Sequence, residues 1–231
     1  MTQTNALNLG NIVFAGADIP NIFEYNIPVT TGLVAEFLMA HGRPPGRNYA
    51  NGKTSSIVGA PVVGANYTTV NYQNYIDTGV PDTKEITVVS VFSGTSGSPV
   101  VANNPLGAGG GFGVYFTAGG VNAYASRTDG GSSVIHPNPT AMHLFNAVAG
   151  DAQHTVLTDV TIGYSRENST IVGSRVAKSG SNLLIGYHDN NKLADTKIGL
   201  MLIYDRVLPQ NELDLVNAWV RQYMEAQGVA V

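Results

Sequence analysis

The sequence predicts an all-β protein: two antiparallel sheets packed face to face, closed by a short C-terminal helix. Three observations predict it. Apolar runs are short and separated by turn clusters about every 8–12 residues, the pattern of a sandwich. Charged residues make up only 12% of the chain while glycine contributes 27 of 231 residues, a composition of turns and extended backbone. No fixed-period repeat is visible, which argues against propellers and solenoids. A hydrophobic content of 43% supplies a full core, and one sandwich with an arm accounts for the length.

Taken in order, residues 1–29 read as a separate arm. Asn11-Ile12-Val13-Phe14-Ala15 and Phe23-Glu24-Tyr25-Asn26-Ile27 are strand-like runs around an Asp18-Ile19-Pro20-Asn21 turn. Phe14, Ile19, Ile22, Phe23 and Tyr25 are too apolar for a free tail. Burying each is worth roughly 1.5–3 kcal/mol, so the arm must pack on the domain or on a neighbouring subunit. Docking on a partner chain, giving a homo-oligomer or a larger assembly, is the expectation.

From residue 30 the domain begins. Its body reads as short strands separated by turn clusters. Gly109-Gly110-Gly111 leads into Phe112–Phe116, with Val121–Ala125 as its hairpin partner. Val156–Tyr164 follows as another strand, and loops are expected at Ala40–Ser56, Ser93–Gly111, Arg127–Thr140 and His188–Asp195. In Lys197–Tyr204, Leu200, Leu202 and Tyr204 alternate with Met201 and Ile203, so both faces are apolar and the strand is expected to be central. Pro209 then opens a helix, where its missing N–H is harmless, and Glu212 and Asp214 lie near the positive end of its dipole. Leu213, Val216, Val220 and Tyr223 recur at helical spacing with Trp219 beside them, and Gly228 is the stop. Ile86, Val88, Val91, Leu184, Leu202 and Tyr204 are the expected core markers.

The string Ile203-Tyr204-Asp205-Arg206-Val207-Leu208-Pro209-Gln210-Asn211-Glu212-Leu213 resembles the closing signature of the laminin-G-like, concanavalin A-type jelly rolls. In that family a buried strand ending in Tyr-Asn/Asp-Arg-Ala/Val-Leu runs into a short helix. Gly32–Phe37 is similar to the family's opening strand, Tyr75-Ile76-Asp77-Thr78-Gly79 with Glu85–Phe92 to its next pair, and Asn182–Tyr187 to its penultimate strand. The resemblance covers roughly residues 30–226 and implies a concanavalin A-like jelly roll over residues 30–231. It speaks to fold far more than to function.

Composition also narrows the partners. With net charge −4 and no Lys/Arg cluster, nucleic acid and anionic membranes are poor partners. No run reaches the ~18 apolar residues of a membrane helix. The absence of cysteine excludes disulfides and thiol chemistry. Met1-Thr2-Gln3-Thr4-Asn5 has neither the basic region nor the apolar run of a signal peptide. The expected route outside a cell is assembly into a particle released by lysis.

Motifs for catalysis are thin. Gly94-Thr95-Ser96-Gly97-Ser98-Pro99 resembles the string around the nucleophile of chymotrypsin-like proteases, but only His41 lies upstream and Thr95 replaces the usual Asp. The paired carboxylates of sandwich glycosidases, spaced Glu-x-Asp-x-x-Glu, do not occur. His188-Asp189-Asn190-Asn191 with Asp195 has hard-oxygen chemistry suited to Ca²⁺, though an Asp-Asn-Asn turn needs no metal. The five histidines show no metal spacing, and no other cofactor is expected.

The reading that results is a non-enzymatic, virion-associated attachment module that recognises surface carbohydrate. The composition resembles that of phage tail, fibre and decoration proteins that carry laminin-G-like domains. Loops around Tyr49, Arg127, Asp129, His136, Asn138, Asp189, Asn190 and Asn191 are the expected ligand groups, combining an aromatic face with donors and acceptors. A purely structural particle protein, bound to other virion proteins through residues 1–29, and a glycan-cleaving enzyme are the alternatives.

Overall fold

The computed structural model describes residues 27–40, 43–50, 55–103, 111–137, 139, 141–170, 173–188 and 192–231. Both strand-like runs of the arm, apart from Ile27, lie outside the described residues, as do Asn138, Asp189, Asn190 and Asn191. In chain order the strands are β1 Leu33–Leu38, β2 Ser56–Val58, β3 Val62–Val63, β4 Thr68–Val70, β5 Tyr75–Pro81, β6 Ile86–Gly94, β7 Pro99–Ala102 and β8 Phe112–Thr117. Then come β9 Gly120–Arg127, β10 Gly130–His136, β11 His143–Ala149, β12 Thr155–Asp159, β13 Tyr164–Asn168, β14 Asn182–Ile185 and β15 Thr196–Tyr204, followed by helix α1, Gln210–Ala226.

They form two antiparallel sheets, as the turn spacing predicts. One has eight strands, in the order β13-β12-β11-β6-β15-β4-β3, with β1 also paired to β15. The other has seven, in the order β10-β9-β8-β7-β14-β5-β2. Phe37, Ile86, Val88, Phe116, Ile185 and Ile203 fill the space between them. At its middle, Phe92 stacks on Phe145 at 4.7 Å and meets Phe116 edge-on at 5.6 Å.

A second core lies on the outer face of the eight-stranded sheet. Leu38, Val89, Val91, Leu144, Leu200, Leu202 and Tyr204 pack there beneath Leu213, Val216, Val220 and Met224 of α1. Strand β15 therefore serves both cores at once: Met201 and Ile203 face the inner one, Leu200, Leu202 and Tyr204 the outer. This is why both of its faces are apolar. Its first half pairs with β4 and its second half with β1, and the register steps between Ile198 and Leu200. A Cβ on the intervening Gly199 would stand 2.7 Å from Met224 Cε, so glycine lets the helix end settle on the sheet. Pro209 is the N-cap, and Arg206 ties the helix start by pairing with Glu212 and donating from Nε to Thr31 O at 2.9 Å. At the other end Gly228 (φ 76°) takes the left-handed conformation. Its N–H reaches Glu225 O and that of Val229 reaches Met224 O, both at 2.9 Å, a Schellman stop. The described chain begins inside this layer: Ile27 and Val29 join the outer core, and Tyr204 Oη donates to Val29 O at 3.1 Å.

Several expectations need correction. The span Ser93–Gly111 is not loop throughout, because β7 is a fully buried strand within it. Pro99 is tolerated there as the first strand residue. Arg127–Thr140 contains the whole of β10. Val156–Tyr164 is two strands, β12 and the start of β13, divided by a turn. Leu183 and Ile185 face the core, which leaves Leu184 on the opposite face and only half-buried. Trp219 is half-buried, stacked on Tyr223 at 5.6 Å.

Candidate ligand-binding site

The two sheets meet at one edge through β10 and β13, and the approach is fixed by a buried carboxylate. Asp159, fully buried, ends β12. Its Oδ1 accepts from Thr161 N at 3.0 Å and Ile162 N at 3.4 Å, an Asx turn that bends the chain into β13. Its Oδ2 takes a 2.7 Å hydrogen bond from His143 Nδ1 and lies 3.8 Å from His136 Nε2. The His136 ring in turn stands edge-on to Phe145 at 5.6 Å and to Tyr164 at 4.7 Å. One carboxylate thus connects the last residue of β10 with β11, β12 and the first residue of β13.

In front of this network lies a groove of about 450 Å³ lined by Ser133 and Ile135 of β10, Arg166 and Asn168 of β13, and Ser169 and Thr170 beyond it. β13 is exposed along nearly its whole length, and alternation puts Tyr164, Arg166 and Asn168 on one face. Arg166 Nε donates to Tyr164 Oη at 2.8 Å and its Nη1 to Ile135 O at 3.3 Å. Asn168 Nδ2 donates to Ser133 O at 3.1 Å, while its Oδ1 accepts from Thr170 N and Oγ1. The bonds to Ile135 O and Ser133 O cross from sheet to sheet and hold the groove's walls, while the others fix Arg166 and Asn168 locally. Exposed Tyr164 and Ile135 add apolar surface beside hydroxyl, amide and guanidinium groups. Such a surface can stack a ring and hydrogen-bond its substituents.

Of the residues predicted from sequence, Tyr49, Arg127, Asp129 and His136 lie among the described residues, and these four are not brought together. Arg127 is 5% exposed, and its guanidinium donates to Gly173 O at 2.8 Å, Gly150 O at 3.0 Å and Gln153 O. It is a buried tie between loops, so its assignment as a ligand group is corrected. Burial, and then the nearby Arg175, lower its pKa, opposed by Asp129 and Asp151. Asp129 is exposed in the turn between β9 and β10, at the end remote from His136. His136 is 2% exposed, and its Nδ1 is 2.7 Å from Pro137 O, which makes it a positioning residue behind the groove and not a ligand contact. Tyr49 packs on the outer core, and Arg47 and Arg43 lie over its ring at 4.6 and 5.7 Å, so its face is not open for a sugar. Ser96 sits exposed in a turn where Ser98 N donates to Thr95 O at 2.9 Å, and Ser98 itself is buried. Among the described residues no three His, Asp or Glu side chains are placed to share a metal ion.

The residues that sequence reading missed are Ser133, Tyr164, Arg166, Asn168 and Thr170. Their signal was Tyr164-Ser165-Arg166-Glu167-Asn168, a strand-length run in which neither alternating face is apolar. Such a run marks an edge strand that presents polar groups on both sides.

A different buried carboxyl lies on β1. Glu36 faces away from the inner core, is 5% exposed, and its Oε1 has no hydrogen-bond partner among the described residues. Burial pushes its pKa from 4.5 to about 7. Tyr204 is raised too, first by burial and then by Glu36.

No family model and no curated protein matches this chain. Solved structures do match it. The binding domain of Paraclostridial mosquitocidal protein 1 superposes with a TM-score of 0.56 at 11% identity, over 83% of this chain and 52% of that one. The fold is a two-sheet jelly-roll sandwich. The botulinum neurotoxin serotype D ligand-binding domain, solved with N-acetylneuraminic acid, gives 0.56 at 7% identity over 86% of this jelly roll and 53% of its own chain. Trypanosoma rangeli sialidase, solved with sialic acid, gives 0.59 at 14% identity over 86% and 34%. The chain thus spans about half of each toxin domain and a third of the sialidase, and the likeness is one of fold.

Proposed function

We propose that this jelly roll is a non-enzymatic carbohydrate-binding module and that its site is the β10–β13 groove. The observation that carries the reading is the pairing of an exposed aromatic, Tyr164, with Arg166, Asn168 and Ser133 on a wall held by cross-sheet hydrogen bonds. Matching folds solved with sialic acid or N-acetylneuraminic acid support the class of ligand. The biological setting that suits the composition is a virion surface, where the module attaches to host glycan. A shallow groove binds weakly, so useful affinity comes from several copies acting together.

A glycan array probed with a multivalent form of the protein tests this. Tyr164→Ala is expected to lower the signal on the bound glycan about 10-fold, the loss of about 1.4 kcal/mol. Because Tyr164 is exposed, thermal stability should stay nearly unchanged. Binding to no glycan at all by the unaltered protein, or full binding by both Tyr164→Ala and Arg166→Ala, refutes the assignment.

A further inference from the structure

The sandwich has a second edge, unlike the first. β2 ends the seven-stranded sheet and β3 the eight-stranded sheet, with residues 59–61 joining them. These two strands leave four aliphatic side chains exposed: Ile57 at 46%, Val58 at 37%, Val62 at 65% and Val63 at 40%. Neighbouring residues of a strand point to opposite faces, so neither face of β2 or β3 is fully covered. Neither strand contains a charged residue, whereas β13 carries Arg166 and Glu167. An apolar, uncharged edge is a template for another strand.

We infer that residues 11–15 of the same chain, Asn11-Ile12-Val13-Phe14-Ala15, add to this edge as a strand beside β3, covering the exposed aliphatics. The run is uncharged and has β-branched and aromatic residues at its centre, the composition that suits such a place. Chain length supports docking within one molecule. The described chain starts at Ile27, in the outer core beside Tyr204 at the end of β15, while β4 and then β3 flank the other end of that strand, at Thr196–Ile198. The separation is about 20 Å along the strand and about 10 Å across two strands. Residues 16–26 span about 36 Å when extended, which is enough. Tethering then favours the arm's own edge over that of another copy.

The nearer edge, that of β1, is already occupied. Asn48 Oδ1 accepts from Glu36 N at 2.9 Å, Asn48 Nδ2 donates to Val34 O at 3.0 Å, and Tyr49 N donates to Glu36 O at 2.8 Å. An arriving strand finds its open backbone further on, at β3.

The chain has no cysteine, so introduced pairs report the contact cleanly. Val62→Cys is combined in turn with Ile12→Cys, Val13→Cys and Phe14→Cys in the full-length protein and oxidised at micromolar concentration. At least one pair is expected to close an internal disulfide, read as a monomer of faster migration before reduction, while Val62→Cys with Thr2→Cys stays open. Failure of all three pairs, or bridges only between chains, overturns the proposal. In the cysteine-free protein, Val13→Asp is expected to speed amide exchange across residues 62–63 at least 10-fold. Unchanged exchange there also overturns it.

Discussion

Arg175→Met is expected to lower the stability of the fold by about 3–5 kcal/mol, the loss typical of stranding one half of a buried ion pair. Both side chains of the Arg175–Asp82 pair are fully buried, with Arg175 Nη2 at 2.7 Å from Asp82 Oδ1. The pair is embedded in further bonds. Arg175 Nη1 donates to Thr83 O, Arg175 N donates to Asp151 Oδ1 at 2.7 Å, and Lys178 N donates to Asp82 Oδ2 at 3.0 Å. The guanidinium also lies over the Phe112 ring at 5.7 Å. This clasp pins the segment before β14 to the turn between β5 and β6. In a domain of this size the loss is a fall in Tm of roughly 10 °C. Replacing both partners, Arg175→Met with Asp82→Leu, is expected to recover most of it, because no buried charge is then left alone. Urea denaturation of the three proteins decides the matter: a single variant within 1 kcal/mol of the parent means the clasp is not structural.

The second large effect depends on pH. Because burial raises the Glu36 pKa from 4.5 to about 7, the native protein keeps a proton that the unfolded chain has already lost across that window. Stability is therefore expected to fall as pH rises through the window and to level off above it. The contribution is about 3 kcal/mol between pH 4 and pH 8. Glu36→Gln removes the ionisation and should be the more stable protein at pH 8, with little difference near pH 4. Chemical denaturation of both proteins across this range checks the sign. Parallel stability curves would show that Glu36 ionises in the fold without penalty.

Much of the architecture was legible because it follows from local pattern. The two-sided apolar run Leu200–Tyr204 marked the centre of a sheet, and the spacing of Leu213, Val216 and Val220 marked the helix that covers it. What failed was short or polar. β7 was hidden behind Gly- and Ser-rich turn residues, although all four of its residues are buried. β10 has the look of a loop in sequence, since Gly130-Gly131-Ser132-Ser133 has the composition of a turn, and only its pairing with β9 makes it a strand. The site was less legible than the fold. Arg127 looks like a ligand group in a polar loop, and nothing local says that three backbone carbonyls converge on it. Tyr164 and Arg166 acquire meaning only when β13 is set beside β10, strands more than 25 residues apart in sequence whose meeting is decided by the Asp159 turn.

The position of β15 also bears on synthesis. It forms the middle of the larger sheet, holding β6 on one side and both β4 and β1 on the other, yet it comes after every other described strand in the chain. The strands before it leave the ribosome without the partner that joins them, so the larger sheet cannot close until β15 itself has emerged. Until then the growing chain carries unpaired strand edges, and such edges aggregate or recruit chaperones.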